Sequence, residues 1–261
     1  MTPPVAVPLL LRQRVVLGIF LVIMVGLSWA YLIWMAADMA VGSGGEIAHC
    51  AAMPGMTSSN WVYVWWLFVM WAVMAVAMML PTSLPLIFLF GRYWKAKHKQ
   101  DPVWPTLNLV FGYLSAWFLF GVAAALLQWG LEHLDVLTPV MGEVRSPVVG
   151  GAVILFAGLF QFSPLKTACL SKCRTPMMFL NTKWRNGKWG PFIMGFDDGL
   201  YCLGCCWAMM LIMFVSGVMN LFWMAVLTVF MISEKIVPHG LIFTRVTGAI
   251  LVAVGIWRMV A

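Results

Sequence analysis

The chain has 261 residues, 63% of them hydrophobic and only 10% charged, and a mean hydropathy of +0.94. An ordinary soluble domain is roughly 25% charged, so a water-soluble enzyme built on one core is excluded, as are disordered, collagen-like and disulfide-scaffold classes. The formal charge of +7 is of the kind that membrane proteins collect in cytoplasmic loops; it is read as topology, and no nucleic-acid partner is expected.

Apolar runs able to cross about 30 Å of hydrocarbon recur along the chain. The first, 15–36, follows Arg12 and Arg14 and is too long for a signal peptide, so a retained helix is expected. A Gly/Ser-rich loop over 37–60 leads to a second run from Trp61 past Pro81 and Pro85 to Phe90, long enough that a kink or tilt is expected. A basic loop with Arg92, Lys95, Lys97 and Lys99 precedes a third span over 106–129 and an acidic loop with Glu132, Asp135 and Glu143. A fourth span covers 147–163, and the longest polar stretch follows at 164–190. The fifth covers 196–216, the sixth, which is short, 221–234, and the seventh 240–260. The expected fold is an all-α polytopic transmembrane bundle of about seven helices, six being possible, forming a single membrane domain over 1–261.

Lys and Arg in short loops set orientation. With the N-terminus cytoplasmic, the inner side holds Arg12, Arg14, the four basic residues of the second loop, Lys166, Lys172, Arg174, Lys183, Arg185, Lys188, Lys235 and Arg245; only Arg145 and Arg258 fall outside. The expected location is an inner membrane, crossed several times, with the lipid bilayer as the first partner.

The densest polar chemistry is Cys202-Leu-Gly-Cys205-Cys206-Trp207 in the fifth span. At 100° per residue, Cys202 and Cys206 lie about 40° apart and Cys205 about 60° to the other side, so three thiols share one arc of the helix. Asp198 stands one turn before them on that face, and Met209 and Met213 beyond. Soft sulfur donors of this kind select Cu(I); four thiolates could also close a zinc site. The competing reading is that cysteine packs as a small hydrophobe and methionine fills gaps.

A second pair, Cys169 and Cys173, has the i,i+4 spacing that puts both sulfurs on one side of any helical turn, and Lys166, Lys172 and Arg174 favour thiolate. Met70, Met74 and Met78 repeat every four residues toward the inner end of the second span, with Met79 beside them. Topology sends Met78, both cysteine groups, Glu234 and Lys235 toward the cytoplasmic half, and ionisable groups bordering spans are costly and tend to be functional or paired. The structural alternative pairs Asp198 or Glu234 with Lys172, Arg174 or Lys235. In the first outer loop, His49, Cys50, Met53 and Met56 form a separate soft-donor motif, suited to copper arriving from an oxidising side. Between that loop and the inner cluster run the thioethers of the second and fifth spans.

The run Met74 to Pro81, the Pro-Leu-Lys…Cys-Leu-x-x-Cys-Arg-x-Pro of 164–176, the Gly-x-x-x-Gly-x-Tyr-Cys-x-Gly-Cys-Cys-Trp of 195–207 and Glu234-Lys235 together resemble a bacterial family of predicted metal-binding integral membrane proteins of unknown function. The resemblance covers most of 61–255. It implies a polytopic bacterial inner-membrane protein with a metal site at those cysteines and methionines, and it implies no reaction.

The expected function is soft-metal handling, copper before zinc, through a Cys/Met site near the cytoplasmic leaflet. Its candidate ligands are Cys202, Cys205, Cys206, Cys169, Cys173, Met78, Met79, Asp198 and Glu234, together with the outer His49, Cys50, Met53 and Met56. Partner membrane subunits or a periplasmic metal protein would complete such a system. The alternatives are a metal-dependent or thiol-redox membrane enzyme, a subunit of an oxidoreductase complex, or a scaffold subunit that docks through Gly195-x-x-x-Gly199. No nucleotide-binding loop, nucleophile elbow or paired-carboxylate site is present in the sequence.

Overall fold

The computed structural model describes residues 6–41, 61–99, 101–138, 142–237 and 240–260, and among these it shows ten α-helices. No strand occurs among the described residues; an isolated bridge joins Leu137 and Val144. The helices are α1 (Ala6–Val41), α2 (Trp61–His98), α3 (Val103–His133), α4 (Pro147–Phe160), α5 (Pro164–Arg174), α6 (Pro176–Lys183), α7 (Gly190–Met210), α8 (Met213–Ser216), α9 (Leu221–Ile236) and α10 (Gly240–Val260).

Five described segments are long and apolar enough to cross a membrane: Val15–Ala37, Trp61–His98, Val103–His133, Gly190–Ser216 and Leu241–Val260. A sixth arises if α4 and α5, bent by 62° at their junction, count as one broken span. The short sixth run becomes α9, 16 residues or about 24 Å long at 1.5 Å per residue, less than the hydrocarbon thickness. About seven helices were expected, with six possible; by length and composition the described residues supply five spans, or six with the bent pair.

The polar stretch 164–190, expected as a loop, is largely helical. Ser163 caps α5 by accepting from the Leu165 amide at 3.2 Å, and Pro164 opens the helix with its preset φ. Pro176 then pushes Thr175 out of helical geometry, which ends α5 and lets α6 begin. The basic loop after Phe90 is likewise helix, since α2 continues to His98. α7 starts at Gly190 with Pro191 in its first turn, earlier than the expected 196, so Cys202 lies in the middle of the helix.

α2 carries Pro81 and Pro85 inside its length. Pro81 has no N–H, which deprives the Ala77 carbonyl of its helical donor, and the Trp29 indole of α1 supplies one at 3.2 Å. The Thr82 and Ser83 hydroxyls fold back onto the Met79 and Leu80 carbonyls at 2.8 and 2.9 Å. Such local repair lets proline persist in an apolar helix.

α3 and α7 pack almost backbone to backbone. A Cβ on Gly195 would stand 1.9 Å from the Leu109 carbonyl oxygen, and one on Gly112 would stand 2.0 Å from that of Phe192. The Gly195-x-x-x-Gly199 face is therefore used within the chain against Tyr113 and Ala116, which removes the main sequence argument for docking another subunit there. The close approach also carries the Tyr113 side chain to Cys202. Met70, Met74, Met78, Met79, Met209 and Met213 are all buried, in one core with Cys202, Cys205 and Cys206.

Candidate metal centre

Cys202 lies at the crossing of α2, α3, α7 and α9. Its Sγ is 3.1 Å from the Tyr113 hydroxyl of α3 and 3.1 Å from the Lys235 Nζ of α9. Thr82 of α2 stands 4.0 Å from the same sulfur. Lys235 also donates to Thr82 Oγ1 at 2.7 Å. Because the Thr82 hydroxyl spends its single proton on the Met79 carbonyl, it is free to accept from lysine. Tyr113 reaches that same carbonyl at 3.0 Å, so the backbone of Met79 joins the site.

The Cys205 and Cys206 thiols both turn back on the Cys202 carbonyl, at 3.0 and 2.9 Å. α5 brings the other two cysteines against them. Cys173 is an electrostatic neighbour of Cys205, and the Cys169 sulfur rests on Gly204, in the space a Cβ would fill. All five cysteines are free thiols. Cys202, Cys205 and Cys206 are buried, whereas Cys169 and Cys173 are partly exposed.

Among the described residues no three His, Cys, Asp or Glu side chains already surround one point as a metal would need. The reason is visible in the hydrogen bonds: two thiols face a carbonyl and the third faces an ammonium. Each cysteine has one side-chain torsion with staggered wells, so rotation at Cys205 and Cys206 is the movement that would turn sulfur from backbone to ion.

Residues 68–258 match the sequence model of a family described as PpoB2, copper chaperone. The chain belongs to this copper chaperone family. No curated protein and no solved structure matches it.

In a copper chaperone the donors that matter are soft, and the matched region contains every inner candidate from Cys169 to Glu234 together with Met78 and Met79. The outer His49, Cys50, Met53 and Met56 precede that region and lie outside the described residues. Met78 and Met79 are fully buried. Asp198, one turn before Cys202, is buried too, with Lys235 as its cationic neighbour. Glu234 is occupied differently from either sequence alternative: it accepts from Lys166 at 2.8 Å and from Thr244 at 2.9 Å, closing a buried pair that ties α5 to α9 and α10. Gln161, at the break between α4 and α5, donates to the Met209 thioether at 3.1 Å.

Tyr113 and Thr82 were not singled out from sequence. Each left a trace there: a tyrosine in the middle of an apolar run beside a small-residue stripe, and a hydroxyl directly after a helix-interior proline. His98 stacks on Trp94 and Trp184, and His133 packs on Trp129, so both are held by aromatic neighbours.

Proposed function

We propose that this protein is a multi-pass membrane copper chaperone that binds Cu(I) among Cys169, Cys173, Cys202, Cys205 and Cys206 and hands it to an acceptor protein. The observation that carries the reading is the meeting of α5 and α7. The two segments bring five free thiols to one neighbourhood, inside a chain of the copper chaperone family. Thiolates and thioethers suit Cu(I) in preference to hard cations, and a small number of sulfur ligands that can rotate away suits transfer better than storage. Met78 or Met79 adds a thioether from α2. Zinc is the second metal in this reading.

The basic residues favour an orientation in which Lys97, Lys183 and the cysteine site lie toward the cytoplasmic side of a bacterial inner membrane. Copper crossing from the far side would need ligands along its path, because an unligated charge at the bilayer centre costs at least ~2.5 kcal/mol on insertion scales. The buried thioethers of Met70, Met74, Met209 and Met213 are the residues available for that path. Acceptors would be partner membrane subunits or a periplasmic metal protein.

A thiol-redox enzyme is the second reading, supported by the neighbouring free thiols of Cys173 and Cys205. Anaerobic titration of the purified protein with Cu(I) separates the two. Binding of copper that is lost on replacement of Cys202 and Cys206 supports the chaperone. Turnover of a disulfide or quinone substrate without copper binding supports the enzyme.

A further inference from the structure

We propose that Lys235 is the counter-cation of the copper centre: its ammonium, held in place by Thr82, offsets the negative charge that Cys202 and a second cysteine acquire when they take up Cu(I). The inference rests on the copper-binding reading and adds to it a positioning residue that ligates no metal. Two thiols together are neutral. When Cu(I) enters between their sulfurs both protons leave to solvent, because thiolate is the form that binds metal, and one metal charge replaces two proton charges. The filled centre is therefore more negative by one than the empty pair, in an interior where an uncompensated charge is poorly screened. A cation touching the sulfur is attracted more strongly to the filled site than to the empty one. Such a difference between two states is what raises affinity.

Lys235 has the position this role requires. Its Nζ stands 3.1 Å from Cys202 Sγ and 2.7 Å from Thr82 Oγ1. The Thr82 hydroxyl donates to the Met79 carbonyl, so it presents only lone pairs to the ammonium and fixes the end of a long, flexible side chain. Cys202 is fully buried, so solvent does not screen its sulfur. Two cations of α5 are engaged elsewhere: Lys166 with Glu234 at 2.8 Å and Arg174 with the Val237 carbonyl. Asp198, the buried acid beside Lys235, contributes no positive charge to the centre. Tyr113 supplies a second donor. Its hydroxyl lies 3.0 Å from the Met79 carbonyl and 3.1 Å from Cys202 Sγ. Because Thr82 also donates to that carbonyl, the tyrosine can turn its proton to the thiolate without leaving the carbonyl unsatisfied.

The test uses the full chain in detergent or nanodiscs, titrated anaerobically with Cu(I) against a chromogenic Cu(I) chelator, with the near-ultraviolet sulfur-to-copper charge-transfer band recorded alongside. Lys235→Met, which keeps most of the apolar stem and removes the charge, should bind Cu(I) about ten- to a hundredfold more weakly. A cation beside sulfur lowers the energy of its lone pairs, so the band should move to lower energy once the lysine is gone. Thr82→Val, which keeps the shape and removes the acceptor, should weaken binding about threefold, and that loss should vanish in the Lys235→Met background. Parental affinity in Lys235→Met overturns the proposal, as does a Thr82→Val defect that persists without the lysine. Weaker binding with the band unmoved also overturns it, since the lysine would then support the fold and not the sulfur. If Lys235→Met does not fold, Thr82→Val decides: weaker binding with the band at lower energy supports the proposal, and an unmoved band overturns it. A parent protein that binds no Cu(I) at all refutes the copper-binding reading itself, a result distinct from all of these.

Discussion

A Cβ on Gly204 would stand 2.7 Å from the sulfur of Cys169, so the absence of a side chain at one residue of α7 is what lets the cysteine of α5 settle on it. Gly204→Ala should displace that sulfur while leaving the helices in place, since the obstacle is the end of a side chain and not backbone. Cu(I) affinity is expected to fall about three- to tenfold, or roughly 1 kcal/mol, with little change in thermal unfolding. A competition titration beside a melting curve checks both halves.

Gly195 makes the opposite kind of contact. Its Cβ would meet the Leu109 carbonyl oxygen at 1.9 Å and the Tyr113 amide nitrogen at 3.0 Å, both backbone atoms that cannot rotate aside. Gly195→Ala should force α3 and α7 apart, cost about 1–3 kcal/mol or more, and draw Tyr113 away from Cys202. A lower unfolding temperature together with weaker copper binding is the expected pair of results; a parental melting curve would contradict the close packing.

Lys166 and Glu234 form a fully buried ion pair at 2.8 Å. Removing one partner of such a pair leaves a buried charge and costs about 3–5 kcal/mol, whereas replacing both with apolar residues is often neutral. Lys166→Leu is expected to destabilise strongly and Lys166→Leu with Glu234→Leu to recover most of the loss. Copper bound by the double variant at parental stoichiometry would show that Glu234 supports the helices without ligating metal.

The arc of Cys202, Cys205 and Cys206 was legible because 100° per residue is local arithmetic, and the apolar helices because hydrocarbon-crossing length is written in composition. α5 was less so: Ser163-Pro164 is a good start signal, but with three basic residues in 11 the segment read as a polar stretch in which a helical turn was left open. The partners of Lys235 and Glu234 were out of reach. Lys235 bonds across 153 residues to Thr82 and Glu234 across 68 to Lys166, and charge sign alone cannot choose among Lys166, Lys172, Arg174 and Lys235. The Gly195-x-x-x-Gly199 face was read correctly as close-packing, yet a motif of spacing does not say whether its partner is this chain or another.

Topology is tested without reference to metal. Tyr93 near the end of α2 bonds Asn181 of α6, while Tyr63 at its start bonds Glu132, so Lys97 and Lys183 belong to one end of the bundle and Glu132 to the other. Single cysteines placed at 97 and 183 in a chain with its exposed native thiols blocked should label from the cytoplasm, and one at 132 from the outside. Labelling of 97 and 132 from the same side would contradict a transmembrane α2.

The most direct measurement is copper stoichiometry of the purified full chain with Cys202→Ser and Cys206→Ser together. Serine nearly keeps the volume and replaces soft sulfur by hard oxygen, so the fold should persist, as judged by an unchanged helical signal and melting curve. The parent is expected to bind Cu(I) with sulfur ligands and the double variant to lose most of it. Equal copper in both proteins would contradict a metal site at the crossing of α5 and α7.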